Sequence, residues 1–556
     1  MIDHILSLLI AIPMLGAAAV ALWPSKQAGH FRIVALVTLL IEALLAVFLF
    51  LNFENQNFAH QMAETTDWIT LPIGSLGIIS IDYALAVDGI SFPLVLLAVI
   101  VLLAGVVSSW EIAQKTRAYF SLYLLLTGSV IGCFLAQDFF LFYLFFEFML
   151  LPMYFLIGLW GGPRREYAAL KFFIYTFFGS LLILIVMIGL YLSVIDPLET
   201  ARVVGIMGME DAIHPDLIPQ IQQWLIDGKI APEQIVHTFR FQYLADPGNY
   251  LPGSLLHLAS QYFIGDIPLR LLAFWFLFIG FAVKLPVFPV HTWLPDAHVE
   301  APTPISVVLA GILLKIGGYG FIRIVDGFFP LEAQYSAIPL AILGMISIVY
   351  GGFNALGQTD LKKMIAYSSV SHMGFVLLGI AAFTAEGLNG AIYQMVSHGI
   401  LSAMLFLLAG VVYDRTHDRN IDHYRGLISV MPQYTIITGI AFFASLGLPG
   451  FSGFVGEIFT LMGAFQSDAL PAWIPALSTL GIVLAAAYFL WTYQRMFFGS
   501  LWYKNGDSSV LTDLTVREKT LLIPLAILTV LLGILPGILF DMTGPTIEAW
   551  LRGLNH

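Results

Sequence analysis

"FAVKLPVFPVHTWLPDAH", residues 281–298, sets a lysine at the end of an apolar run and follows it with three prolines and two histidines. From Leu271 to Val283 that run contains only Leu, Ala, Phe, Trp, Ile, Gly and Val, so Lys284 is carried where water has no ready access. A charge at mid-bilayer costs roughly 2.5 to 3.5 kcal/mol on insertion scales, and a residue kept at that cost is expected to face protein or a wet cavity. Pro286 and Pro289 lack backbone donors and clash with the preceding turn, which predicts that the helix breaks just after Lys284. Interrupted helices are tolerated at membrane depth only where the freed backbone lines a cavity or is buried in protein. The break and the lysine therefore point to the same wetted place.

The pattern recurs in "SLGLPGFSGFVGE", residues 445–457, where Gly447, Pro449, Gly450 and Gly453 interrupt an apolar segment that carries Glu457. Two more charges fall inside apolar runs: Lys315 in "LAGILLKIGGYG" and Glu147 in "LFYLFFEFMLLPMYF". Such groups suit proton movement. Desolvation favours a neutral lysine and a nearby carboxylate favours a charged one, so a change in their separation releases or takes up a proton. Glu147 is the expected partner of Lys284. His372 in "AYSSVSHMGF" and His398 in "IYQMVSHGIL" add groups that titrate near neutrality, in consecutive apolar segments. His291 and His298 follow no zinc spacing and are separated by Pro295, so no metal site is expected.

Working outward, 59% of the 556 residues are hydrophobic and 11% charged, the composition of a polytopic membrane protein. About fourteen apolar stretches are long enough to span, near 4–24, 31–51, 84–108, 118–135, 138–160, 170–194, 270–290, 301–325, 337–357, 363–383, 388–412, 433–466, 473–498 and 519–541. The first lacks a basic start and a small-residue cleavage site and is expected to remain as a span. Loops after odd spans hold 16 of the 24 Lys and Arg residues, Lys362 and Lys363 among them. This bias places the basic loops in the cytoplasm. Residues 196–268, with nine acidic residues and three basic, then lie on the far side as a surface lid or partner contact. Within them Pro215 to Ile230 reads as a short amphipathic helix capped by Asp216.

The two interrupted segments are five spans apart, an odd offset that reverses direction in the membrane and fits inverted repeats. The expected organisation is helices 1–3 in 1–117, a first repeat of helices 4–8 in 118–325, a second of helices 9–13 in 326–498, and a C-terminal loop and helix in 499–556. The fold class is all-α, with helices 7 and 12 discontinuous. One cysteine, Cys133, leaves no thiolate set for an iron–sulfur cluster, and a net charge of -12 opposes nucleic-acid binding. Quinone, flavin or clusters, where needed, are expected only in partner subunits.

"EFMLLPMYFLIGLWGG", "FAVKLPVFPVHTWLPDAH", "LAGILLKIGGYG", "QTDLKKMIAYSSVSHMGF" and "FVGE" occur in this order, and together they resemble the antiporter-like proton-pumping subunit called chain 4 or subunit M of complex I-type NAD(P)H dehydrogenases. "GGPRREYAALKFFIYT" is most similar to the cyanobacterial and chloroplast form. The resemblance implies a pump module coupled to quinone reduction in other subunits, with neighbouring antiporter-like subunits and lipid around it, in a thylakoid or bacterial inner membrane. It implies that Glu147 modulates Lys284, that Lys315 bridges to His372, and that Glu457 is terminal, with Lys362, His398 and Asp360 as further candidates near the axis. The connection 196–268 is longer than is usual in the family, which admits an extra partner on that face and a carbon dioxide uptake variant. The competing reading of the same residues is an Mrp-type sodium/proton antiporter subunit.

Overall fold

The computed structural model describes residues 4–24, 27–206 and 217–554. Among them eleven helices are long and apolar enough to cross a membrane, or up to twelve if the pair Val516–Ile534 and Gly537–Gly553, bent by 63°, is one span. The chain is mostly helical because each apolar run must satisfy its own backbone, and a helix does so within one segment. Helices at the rim, such as Ala28–Asn52, leave Leu44, Val47 and Leu51 bare on one side. Thr303–Phe328 and Ala385–Thr416 are instead buried all round in their apolar stretches and form the centre of the bundle. Any polar group they carry must find its partner in protein or trapped water.

Both anticipated interruptions occur. One helix runs from Leu269 to Lys284, ends on the lysine, and resumes as Trp293–Glu300. The indole of Trp293 donates to the carbonyl of Val283 (2.8 Å) and clips the second piece across the break. The other runs Pro432–Ser445, breaks through Gly447 and Gly450, and resumes as Ser452–Gln466. None of these pieces is by itself long enough to cross a bilayer as one helix. His291 alone therefore stays in the connection, whereas His298 lies within the restarted helix and is buried, not in a loop as expected.

Helices pack through small residues, which let backbones approach. A Cβ on Gly374 would stand 2.7 Å from the carbonyl oxygen of Gly344, so Ala337–Leu356 and Leu361–Ala381 meet backbone to backbone. That close approach fixes the helix carrying His372.

The all-α expectation needs correction. β1 (Gln61–Pro72) and β2 (Ile78–Val87) form an antiparallel hairpin, and β3 (Val236–Thr238) adds parallel to β2 at Ile78–Ser80. Residues 84–87, read as the start of a span, belong to β2, and the helix begins at Ser91. An apolar run of this length satisfies strand and helix alike, and sequence periodicity cannot separate them. β3 belongs to the long 196–268 connection, so the connection is docked on the N-terminal hairpin and is not a free lid. It begins with Asp196, whose Oδ1 accepts from Leu198 N and Glu199 N (both 2.9 Å) to cap Pro197–Val204. The amphipathic helix spans Leu217–Ile226, while its expected cap, Asp216, lies outside the described residues.

Candidate functional site

Lys315 stands midway along Thr303–Phe328, between two π-helical segments, Leu309–Leu313 and Phe321–Val325. Such segments widen a helix locally and are frequent at functional sites. Its Nζ donates to the carbonyl of Ala310 (2.6 Å) and lies 2.8 Å from Nδ1 of His398, on the central helix Ala385–Thr416. The His398 ring is 5.5 Å, centre to centre, from that of His372. His372 Nδ1 in turn lies 3.1 Å from Oε1 of Glu457, with the amide nitrogen of Gln394 at 3.4 Å. Lys315, His398, His372 and Glu457 therefore form one series, every member buried. Between Lys315 and His372, which the resemblance implies are bridged, stands His398.

The second interruption serves this series. Gly447 has φ +79°, and a Cβ there would sit 2.8 Å from Oε2 of Glu457, so both conformation and space demand glycine. A cavity of about 10 Å³ lies among Ser368, His372, Gln394, His398, Ser402 and Ser445, and Ser445 Oγ and Gln394 Oε1 have no protein partner. That is room for about one water, with polar atoms to hold it.

Lys284 is held differently. Among the described residues its Nζ has no hydrogen-bond partner, and it stands 4.7 Å from the ring centre of Phe146 and 5.9 Å from that of Phe172. Glu147, next to Phe146, is near enough to interact electrostatically, yet among the described residues the two form no ion pair within 4.0 Å. Buried Oε1 of Glu147 is likewise without a partner. Cation–π contact contributes about 0.5–2 kcal/mol. Glu147 is half-buried and also interacts with Tyr143, so its carboxylate is not committed to Lys284.

Lys362 was counted with the basic loops, but it occupies the first turn of Leu361–Ala381, is 2% exposed, and donates to the carbonyl of Ala301 (3.1 Å). It borders a cavity of about 260 Å³ that also touches Glu300, Asp414 and Arg419. His298 is wholly buried, stacked at 4.5 Å on Phe406, with both ring nitrogens unpartnered, and it interacts electrostatically with Lys362 and Lys315. In the sequence His298 stands out only as a potential metal ligand, without zinc spacing. Its signal was the helix restart after Pro286 and Pro289, which sets "WLPDAHVE" back into the bundle. Asp360 stands apart from the series: it caps Leu361–Ala381 through Lys363 N (3.1 Å) and pairs with Arg419 (3.2 Å).

A bundle of apolar helices, two of them interrupted, around a buried file of Lys, His and Glu defines the class of antiporter-like membrane subunits. The chain belongs to the NADH:quinone oxidoreductase/Mrp antiporter transmembrane family, which it matches over residues 136–197 and 254–503. It is 40% identical over 550 residues to NADH-quinone oxidoreductase subunit M of Rhodobacter capsulatus, covering 98% of this chain and 96% of that protein. It is 38% identical to NAD(P)H-quinone oxidoreductase chain 4 1 of Synechococcus sp. (strain JA-3-3Ab), covering 98% and 93%. In structure it is similar over the full length of both chains to a chain of respiratory complex I from Thermus thermophilus with bound NADH (TM-score 0.76, 27% identity). The Mrp complex from Dietzia sp. DQ12-45-1b shares the fold over 100% of this chain and 99% of its own (TM-score 0.75, 18% identity).

Proposed function

We propose that the chain is the proton-translocating membrane subunit of an NAD(P)H or ferredoxin:quinone oxidoreductase, in which electron transfer to quinone by partner subunits drives protons along its buried file. The observation that carries the reading is the series Lys315–His398–His372–Glu457, whose members are close enough to exchange protons directly or through one water. Protons are taken up from the cavity at Lys362 and reach Lys315 past His298. Closing and opening of the Glu147–Lys284 pair sets when Lys315 releases its proton, because a cation brought closer repels the charged form of its neighbour. Each interrupted segment counted as one span gives fourteen, in two inverted five-helix repeats with the basic loops cytoplasmic. Flavin, clusters and quinone sites are assigned to partner chains. In this reading the complex is of the photosynthetic type in a thylakoid membrane, and the strand-anchored 196–268 connection is the surface for an extra partner, including in a carbon dioxide uptake complex.

The test is His398→Leu in the purified complex reconstituted into vesicles: quinone reduction continues and proton uptake stops. Undiminished pumping would end the proposal. The second reading, an Mrp-type sodium/proton antiporter subunit, draws on the fold shared with the Dietzia complex. It requires the chain to exchange sodium for protons in vesicles without quinone or donor, and co-purification with a quinone-reducing subunit argues against it.

A further inference from the structure

The end of the bundle opposite Lys362 carries charged groups that the file from Lys315 to Glu457 does not use. Tyr319 lies one helical turn beyond Lys315, on the same face of its helix. Arg323 follows one turn later, its guanidinium carbon 5.7 Å from the Tyr319 ring centre. Arg323 makes an ion pair with Asp88, which is 1% exposed. The other carboxylate oxygen of Asp88 accepts from Ile90 N and Ser91 N (both 3.0 Å), just ahead of the helix Ser91–Ser108. His60 Nε2 lies 3.8 Å from Asp88, and its side chain is 39% exposed. Beside His60 a cavity of about 30 Å³ reaches Gln137, whose amide N and O have no partner, and Arg240, which pairs with Asp82 (3.5 Å). Such a volume holds about two waters. Tyr319, Arg323, Asp88 and His60 thus form a polar line from the Lys315 helix to the surface by a way that bypasses His398, with Lys315 Nζ itself turned onto Ala310 and His398.

We propose that Arg323, held by Asp88, is an electrostatic plug that closes this line, so that protons on Lys315 cannot leave through the sheet-bearing end and must pass to His398. A guanidinium never gives up its proton in a protein and cannot act as a relay. Its fixed charge also repels an approaching proton, as positive groups do in proton-excluding pores. Asp88 shares in the closure. Burial alone raises a carboxyl, but Arg323 and His60 outweigh it and hold Asp88 down at about 2, so it carries no proton under working conditions. Without Arg323 the buried carboxyl would accept a proton, and Tyr319, Asp88 and His60 would become a conducting line.

The inference rests on Lys315 carrying protons, and its test reads passive conduction separately from pumping. Complex containing Arg323→Met is reconstituted into vesicles, and the decay of an imposed pH gradient is followed without electron donor. The expected decay is on the order of tenfold faster than for the native complex, Arg323→Lys stays tight, and adding Asp88→Asn to Arg323→Met restores tightness. A gradient held by Arg323→Met as well as by the native complex overturns the plug. Should that variant fail to assemble, Arg323→His keeps a cation at low pH, and its leak must rise as pH passes from 6 to 8; a pH-independent rate overturns the proposal equally. Tight Arg323→Met vesicles with pumping lost in Lys315→Ala defeat the plug alone, whereas normal pumping in Lys315→Ala defeats the parent reading whatever the leak.

Discussion

Lys284 and Lys315 are both buried, both on helices with broken or widened geometry, and set in opposite surroundings. Lys315 is engaged twice, by a freed carbonyl and by an imidazole. Lys284 lies against two aromatic faces and makes no hydrogen bond among the described residues, with its carboxylate partner out of ion-pair range. A hydrogen-bonded charge is stable where it stands, whereas one held by rings moves readily to a better partner. In the proposed mechanism the difference assigns Lys315 to storing and handing on a proton and Lys284 to switching.

Removing the storing site gives the largest effect. Lys315→Met is expected to lower the pumping rate of reconstituted complex by about two orders of magnitude, the scale of losing one positioned proton-transfer group. Pumping within a factor of two of native would erase the distinction between the two lysines. Glu147→Gln leaves Lys284 in its aromatic box without a charge to approach, and a loss of about tenfold is expected, because a switch that cannot close slows transfer without cutting the file. Equal losses in Lys315→Met and Glu147→Gln, measured side by side, would show one cooperative unit in place of two functions. His298→Phe keeps the stacking on Phe406 and removes the ring nitrogens. Pumping is expected to fall severalfold, most steeply at high external pH where uptake through Lys362 limits, while quinone reduction with an uncoupler is unchanged.

The smallest effect lies outside the membrane. Asp196 is raised from 3.8 to about 6, chiefly by burial against its capped helix. A group with a raised folded value stabilises the fold below its unfolded value, and that contribution is lost as pH rises through the folded value. The helix Pro197–Val204 should therefore show greater hydrogen-exchange protection at pH 4 than at pH 7, after correction for intrinsic rates. Asp196→Asn should remove that dependence; a protection ratio that stays the same in the variant counts against the assignment.

Where charge conflicted with surroundings, the sequence was readable. Lys284 before two prolines marked its break to the residue, and the glycines ahead of Glu457 marked the second, because proline and glycine act through local geometry that any context must respect. Glu147, Lys315, His372 and Glu457 were visible as titratable groups in apolar runs. Their order was not. Whether His398 or His372 meets Lys315 depends on how three helices rotate against one another, set by close approaches such as Gly344 on Gly374. Lys362 was misplaced because a lysine beside a second lysine at a helix start has the look of a loop, and only the packing of Ala301 above it reveals its burial. The β1–β2 hairpin went unread because its apolar run fits strand and helix alike, and the pairing of β3 because it is three residues long and joins a strand far earlier in the chain, a relation with no local signature.

That distant pairing bears on how the protein is made. The edge of β2 at Ile78–Ser80 is translated early, but β3 emerges only after four further candidate spans have been threaded. Until then the hairpin presents open backbone donors and acceptors, a template for wrong strands. Any truncation ending before Val236 would leave that edge bare for good, so a nascent chain stalled within the fourth to sixth helices is the form most exposed to aggregation and to quality-control proteolysis.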